Sequence, residues 1–145
     1  MPDSIGTDPV GANSAEDNPA GAKPIGVLLM SGAHDRAHYA FVVAAGAAAL
    51  GRRVIVFATN GGCRALMTDW TTLDDAGRDA VVRARGVAGL AELREACGEL
   101  GVRLVACEAG LRAEAIDPAR LLSGVEVAGI ATFLEAVGAG QVVTC

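Results

Sequence analysis

The chain has 145 residues and a mass of 14.6 kDa, the size of one domain. With 52% apolar and 20% charged residues it has the side chains for a packed core, while 3% aromatics are too few for a base-stacking platform. Asp3, Asp8, Glu16 and Asp17 give Met1–Ala22 four of the five net negative charges, leaving 13 acidic against 12 basic residues beyond it; so balanced a body offers no counter-surface to phosphate backbones, which excludes nucleic acid.

In chain order, Met1–Ala22 is rich in Pro, Gly, Ser, Asn and Asp without apolar periodicity, so it reads as a disordered acidic lead-in to a domain over residues 23–145. Ile25–Met30 (IGVLLM) is a continuous apolar run, the mark of a strand buried on both faces. His34–Leu50 predicts a helix stopped by Gly51. Arg53–Ala58 (RVIVFA) predicts a second buried strand, closed by the Thr59-Asn60-Gly61-Gly62 turn. Cys63–Met67 starts a short helical piece, and Asp69–Asp79 is polar and irregular apart from Trp70. Val81–Leu100 reads as one helix, kinked near Gly86 and Gly89. Val102–Cys107 (VRLVAC) is a third strand, followed by short helix and loop over Leu111–Leu122, with Pro118 allowed in a first turn. Val125–Val127, Ile130–Val137 and Gln141–Thr144 predict a brief strand, a helix and a final strand. Alternating buried strands and helices imply parallel βαβ units, hence a three-layer, flavodoxin-like α/β domain of about five strands.

The longest apolar run, Ala40–Gly51, has twelve residues, short of the roughly 20 that cross a bilayer. No basic n-region and apolar h-region open the chain. Cys63, Cys97, Cys107 and Cys145 are far apart with no CxxC pair, so neither a metal site nor a disulfide framework is expected. The expected setting is cytoplasmic and reduced, without a membrane partner. Within the first helix, Ala40–Leu50 (AFVVAAGAAAL) is apolar on every side, whereas a helix packed only on a sheet keeps a polar face. Cover by a second copy of the chain, a homo-oligomer, is expected; the alternative is that Asp69–Asp79 folds back over it.

Reactive groups of open parallel sheets gather beyond the carboxyl ends of the strands. Cys107 and Cys145 end predicted strands there, and Cys63 follows a turn there; Cys97, mid-helix, reads as a small core residue. Cys107 is the leading candidate, because the amides of the helical segment after it favour thiolate over thiol. Arg112 would add positive charge while Glu108 opposes it. Ser31 and Ser123 lack a G-x-S-x-G elbow, and no G-x-G-x-x-G or P-loop pattern follows a strand, so no dinucleotide or triphosphate cofactor is expected. His34 and His38 share a helix face, but two ligands do not make a metal site, and a polar patch is the favoured reading.

The stretch Gly101-Val-Arg-Leu-Val-Ala-Cys-Glu-Ala-Gly-Leu-Arg-Ala-Glu-Ala-Ile116, with Leu121-Leu-Ser-Gly-Val-Glu-Val-Ala-Gly-Ile-Ala-Thr-Phe-Leu134 and the opening IGVLLMSGAHDRAHYAF, resembles the DsrE-like (DsrE/DsrF/TusD-type) sulfur-relay proteins, including a subgroup labelled peroxiredoxin-like. The resemblance implies a flavodoxin-like domain assembling into trimers or hexamers. It also implies a persulfide on Cys107, passed between rhodanese-type and TusA-like carrier proteins. Here Glu108-Ala-Gly-Leu-Arg replaces the small polar, methionine-rich residues of related subgroups, and Gly61-Gly62-Cys63-Arg64 replaces an apolar or aromatic stretch. Cys145 is expected to act as a resolving thiol for Cys107 if their strands lie side by side. The competing readings are a non-catalytic structural or docking subunit and a small-ligand module built on the Ser31-Gly32 and Asn60-Gly61-Gly62 loops.

Overall fold

The computed structural model of the protein describes residues 22–145, so the expectation for the acidic lead-in lies almost wholly outside the described residues. Five strands form one sheet: β1 (Ile25–Leu29), β2 (Val54–Ala58), β3 (Arg103–Cys107), β4 (Glu126–Ala128) and β5 (Gln141–Thr144). All neighbours pair in parallel, in the order β4-β3-β2-β1-β5. The helices are α1 (His34–Ala49), α2 (Arg78–Ala84), α3 (Leu90–Glu99), α4 (Glu108–Ala113) and α5 (Ile130–Val137), with 3-10 turns at Asn60–Leu66, Trp70–Thr72 and Pro118–Arg120.

This is the expected three-layer α/β domain, and its winding explains the layers. From β1 to β4 the chain steps one way across the sheet, then returns past β1 to β5. Crossovers between parallel strands are right-handed, so reversing the step direction moves the crossover helix to the opposite face. Accordingly α1, α3 and α4 supply Ala40, Phe41, Cys97 and Leu111 to one core with Val27, Leu29, Val56 and Ala106. On the other face α5 stands alone, with Phe133 and Val137 against Ile55, Phe57 and Val105. Phe57 and Phe133 stack with centroids 5.2 Å apart. α5 lies this close because β1 carries Gly26, where a Cβ would sit 2.5 Å from Val137 Cγ2 and 2.7 Å from Phe133 Cζ.

Two sequence expectations change. The helix over 81–100 is two helices: Gly86 takes φ +82° and Gly89 caps α3, so the chain breaks completely instead of kinking. The apolar outer side of α1 finds part of its cover within the chain, from α3, whose Cys97 Sγ lies 3.8 Å from Phe41 O. The Asp69–Asp79 segment closes over the start of α1, where His34 N–H donates to Asp74 O at 2.9 Å. Tyr39 on α1 and Leu50 at its C-cap remain exposed, Leu50 at 77%.

Glycines at sites of opposite character test this packing by urea denaturation. Gly26→Ala should overpack the α5 interface and lose about 1–3 kcal/mol. Gly46→Ala, mid-α1 with nothing within 4 Å of the new methyl, should gain about 0.5–1 kcal/mol.

Candidate functional site

The carboxyl edge of the sheet carries Cys63, Cys107 and Cys145. β3 ends on Cys107, whose backbone stays extended at φ −69°, ψ 123° while α4 begins at the next residue. Its side chain therefore caps the helix: Cys107 Sγ accepts the Gly110 N–H at 3.4 Å. An amide aimed at a sulfur stabilises negative charge on it. The thiol packs in the α5-side core and is 8% exposed.

Gly110 sits where only glycine fits, since a Cβ would lie 2.8 Å from the Asn60 amide nitrogen and 2.9 Å from Thr59 Oγ1. That close approach joins α4 to the 3-10 turn Asn60–Leu66, which carries Cys63. The turn is clamped from three sides. Gly62 N–H donates to Met30 O at 3.2 Å, Arg94 Nη1 donates to Ala65 O at 3.0 Å and Met67 O at 2.6 Å, and Arg64 pairs with Glu114 at 2.9 Å. Cys63 is fully buried, with Sγ 3.5 Å from Ala58 O. Burial pushes its thiol up to about 11; negative charge at Cys107 and Glu114 pushes the same way, and the Cys107 amide partly offsets them.

The remaining candidate residues separate from this cluster. Arg112 is exposed and bound to Glu108 across one helical turn, Nη2 to Oε2 at 3.0 Å, so its charge is already paired. Cys145 extends β5 beside β1, donating to Leu28 O at 2.8 Å and accepting from Met30 N–H at 2.9 Å. The side-by-side arrangement expected for a Cys107–Cys145 pair is absent: β2 and β1 stand between β3 and β5, about 14 Å at ordinary strand spacing. The winding reversal falls between β1 and β5, so the crevice favoured by doubly wound sheets flanks Cys145, whereas Cys107 lies two strands away.

His34 and His38 stack with ring centroids 5.6 Å apart, but they are no solvated patch. His34 is fully buried and its Nε2–H donates to Asp79 Oδ1 at 2.8 Å; His38 Nε2–H donates to Ala88 O at 2.8 Å. Asp79 also accepts the Leu90 N–H at 2.8 Å, so one carboxylate ties α1 to the start of α3. Among the described residues no group of three His, Cys, Asp or Glu is placed to hold a metal ion. The two loops of the ligand-module reading pack on each other: a Cβ on Gly61 would lie 2.9 Å from Gly32 N, and Arg64 Nη1 sits against Gly32. Asp79, Arg94 and the nearness of Cys63 to the end of β3 escaped sequence reasoning. Arg94 alone left a signal, a cation on the otherwise apolar inner side of the predicted helix.

Fold and site together define a doubly wound α/β domain with a cysteine capping the helix after its third strand. A profile of the DsrE/DsrF/DrsH-like family matches residues 69–143, just over half of the chain, and the protein belongs to that family. Among its relatives, the sulfur carrier protein DsrE2 of Allochromatium vinosum is 28% identical over 83% of this chain and 96% of its own length. The solved structure of MTH1491, a protein of unknown function from Methanobacterium thermoautotrophicum, superimposes with a TM-score of 0.52 at 18% identity, covering 85% of this chain and 99% of the other.

Two measurements check these environments. In peptide-mapped alkylation of the native protein near neutral pH, Cys63 and Cys97 should stay unlabelled, because burial pushes both thiols up to about 11; labelling of either at the rate of an unfolded control would contradict this. Asp79→Asn should cost about 1–3 kcal/mol at neutral pH. Burial alone would raise the Asp79 carboxyl, but the His34 and Leu90 hydrogen bonds outweigh it and hold it below the ordinary range. Its contribution is thus present above the unfolded value near 4 and lost as pH falls through the lower folded value, so the gap to Asp79→Asn should shrink under about pH 4.

Proposed function

We propose that the protein is a sulfur carrier, a sulfurtransferase in the carrier sense, that holds a persulfide on Cys107 and passes it between partner proteins. The observation that carries this reading is the Cys107 sulfur at the end of β3 with the Gly110 N–H donated to it. The name of the Allochromatium vinosum relative supports it. In loading, the Cys107 thiolate attacks the outer sulfur of a donor persulfide R–S–SH; the donor S–S bond breaks, R–S⁻ leaves, and Cys107–S–SH forms. In delivery, an acceptor thiolate attacks that outer sulfur and Cys107 departs as thiolate. The sulfur changes owner without net oxidation, so the cycle needs no cofactor. Gly110 N–H is the anion donor already in place, while Arg112 would first have to leave Glu108.

The partners we assign are rhodanese-type donors and TusA-like acceptors, in the cytoplasm, with the domain over residues 23–145 working as a homo-oligomer, trimer or hexamer. Among the described residues no helix is long and apolar enough to cross a membrane. Solvent reaches little of the Cys107 thiol, so transfer requires a docked partner to open the rim formed by α4 and β4. The same burial favours a second reading, a non-catalytic docking subunit that keeps the fold and performs no transfer.

Intact-mass spectrometry after incubation with a loaded rhodanese separates the two. The carrier reading expects an adduct of about 32 Da, one sulfur atom, on wild type and none on Cys107→Ala. A folded wild-type protein that takes up no sulfur on Cys107 leaves the docking subunit.

A further inference from the structure

The site contains a second sulfur that the transfer cycle does not use. Ala58 and Ala106 are register partners on β2 and β3; the Cys63 sulfur lies against the Ala58 carbonyl, and Cys107 follows Ala106 directly. The Gly110 contact with Thr59 and Asn60 presses the start of α4 onto the same turn, so Cys63, packed in the α1-side core, lies about one strand spacing from the Cys107 backbone, whose thiol packs on the α5 side at the end of β3. The two are close enough for charge on Cys107 to act on the Cys63 thiol. Cys63 is sealed from solvent, which denies it any external thiol. The other cysteines are placed elsewhere: Cys97 against Phe41 on α3, Cys145 beyond β1.

We propose that Cys63 is the internal resolving thiol of the Cys107 persulfide, releasing its outer sulfur as hydrosulfide when no acceptor docks. The inference rests on the persulfide reading above and adds a second exit for the bound sulfur. The Cys107 side chain turns about its Cα–Cβ bond away from the Gly110 amide, and the Cys63 thiolate attacks the inner sulfur. A Cys63–Cys107 disulfide forms, the S–SH bond breaks, and HS⁻ leaves; the proton given up by Cys63 passes to solvent. The sulfane sulfur is reduced to sulfide while the two cysteine sulfurs are oxidised to the disulfide, which an external dithiol reopens. The groups that face Cys63 are Cys107 from β3 and Glu114 from the end of α4, the latter paired with Arg64. Their charges oppose its thiolate and the Cys107 amide offsets this only in part, so at neutral pH discharge is slow and a docked acceptor wins.

The test uses the full chain, loaded with a low-molecular-weight polysulfide, desalted, and held without acceptor at about pH 7.5 and about pH 8.5. The expected course is loss of the adduct of about 32 Da, one hydrosulfide released per chain, and a species about 2 Da lighter than the reduced protein whose crosslinked peptides join Cys63 to Cys107. Release should run about tenfold faster at the higher pH, following the thiolate fraction of Cys63. Cys63→Ser and Cys63→Ala should load equally and keep the adduct at least about tenfold longer, while Cys145→Ala should behave as wild type. An adduct equally durable in wild type and the Cys63 variants, a crosslink from Cys107 to another cysteine, or migration of the extra sulfur onto Cys63 would overturn the proposal. Failure of wild type to load at all would instead overturn the carrier reading, and this one with it.

Discussion

The carboxyl edge depends on one steric constraint, the absence of side chains at Gly62 and Gly110. A Cβ at Gly62 would collide with the Leu29 carbonyl, and one at Gly110 with the Asn60 amide. With both positions bare, the 3-10 turn after β2 lies flat between the end of β1 and the start of α4. That contact sets where Cys63 sits and keeps α4 square to the end of β3, so that the Gly110 amide meets the Cys107 sulfur. Arg94 and Arg64 then hold the turn, one through main-chain carbonyls and one through Glu114.

The winding of the chain supplies the second constraint. Three helices share one face of the sheet and a single eight-residue helix serves the other. The thinly covered face is the one that contains Cys107, and it leaves Ile130, Leu134 and Val142 exposed, Leu134 at 56%. A buried thiol beneath a thin layer differs from one beneath three helices, because displacing a short helix or the brief edge strand β4 disturbs few contacts. Cys97, on α3 and packed against α1, has no such route.

Much of the architecture was legible in the sequence. The strand runs IGVLL, VIVFA and RLVAC are short, apolar and bounded by turn residues, so they read as buried strands to within a residue or two. Cys107 was legible for the same reason, as the last residue of such a run. Strand order was not, because nothing within β5 records that the chain reverses direction before it; whether Cys145 lies beside Cys107 was therefore left as a condition, and the order β4-β3-β2-β1-β5 does not meet it. The split of α2 from α3 was half-visible in Gly86 and Gly89, whose spacing allows either a kink or a break. Asp79 looked like one more polar residue in an irregular stretch, yet it is buried beneath His34, and a contact between residues 45 apart leaves no periodic trace. The same applies to Cys63 and the end of β3, brought near each other only by the β2–β3 register and the turn that follows β2.

The central claim is that sulfur bound at Cys107 is in transit. It is tested most directly by loading the protein with ³⁵S-sulfane sulfur, mixing it with a reduced TusA-like carrier, and following the label in a single turnover. The account predicts that label leaves Cys107 and appears on the acceptor's cysteine as a persulfide, in proportion to acceptor concentration. Label that stays on Cys107, or that appears only as free sulfide at a rate independent of the acceptor, would contradict it.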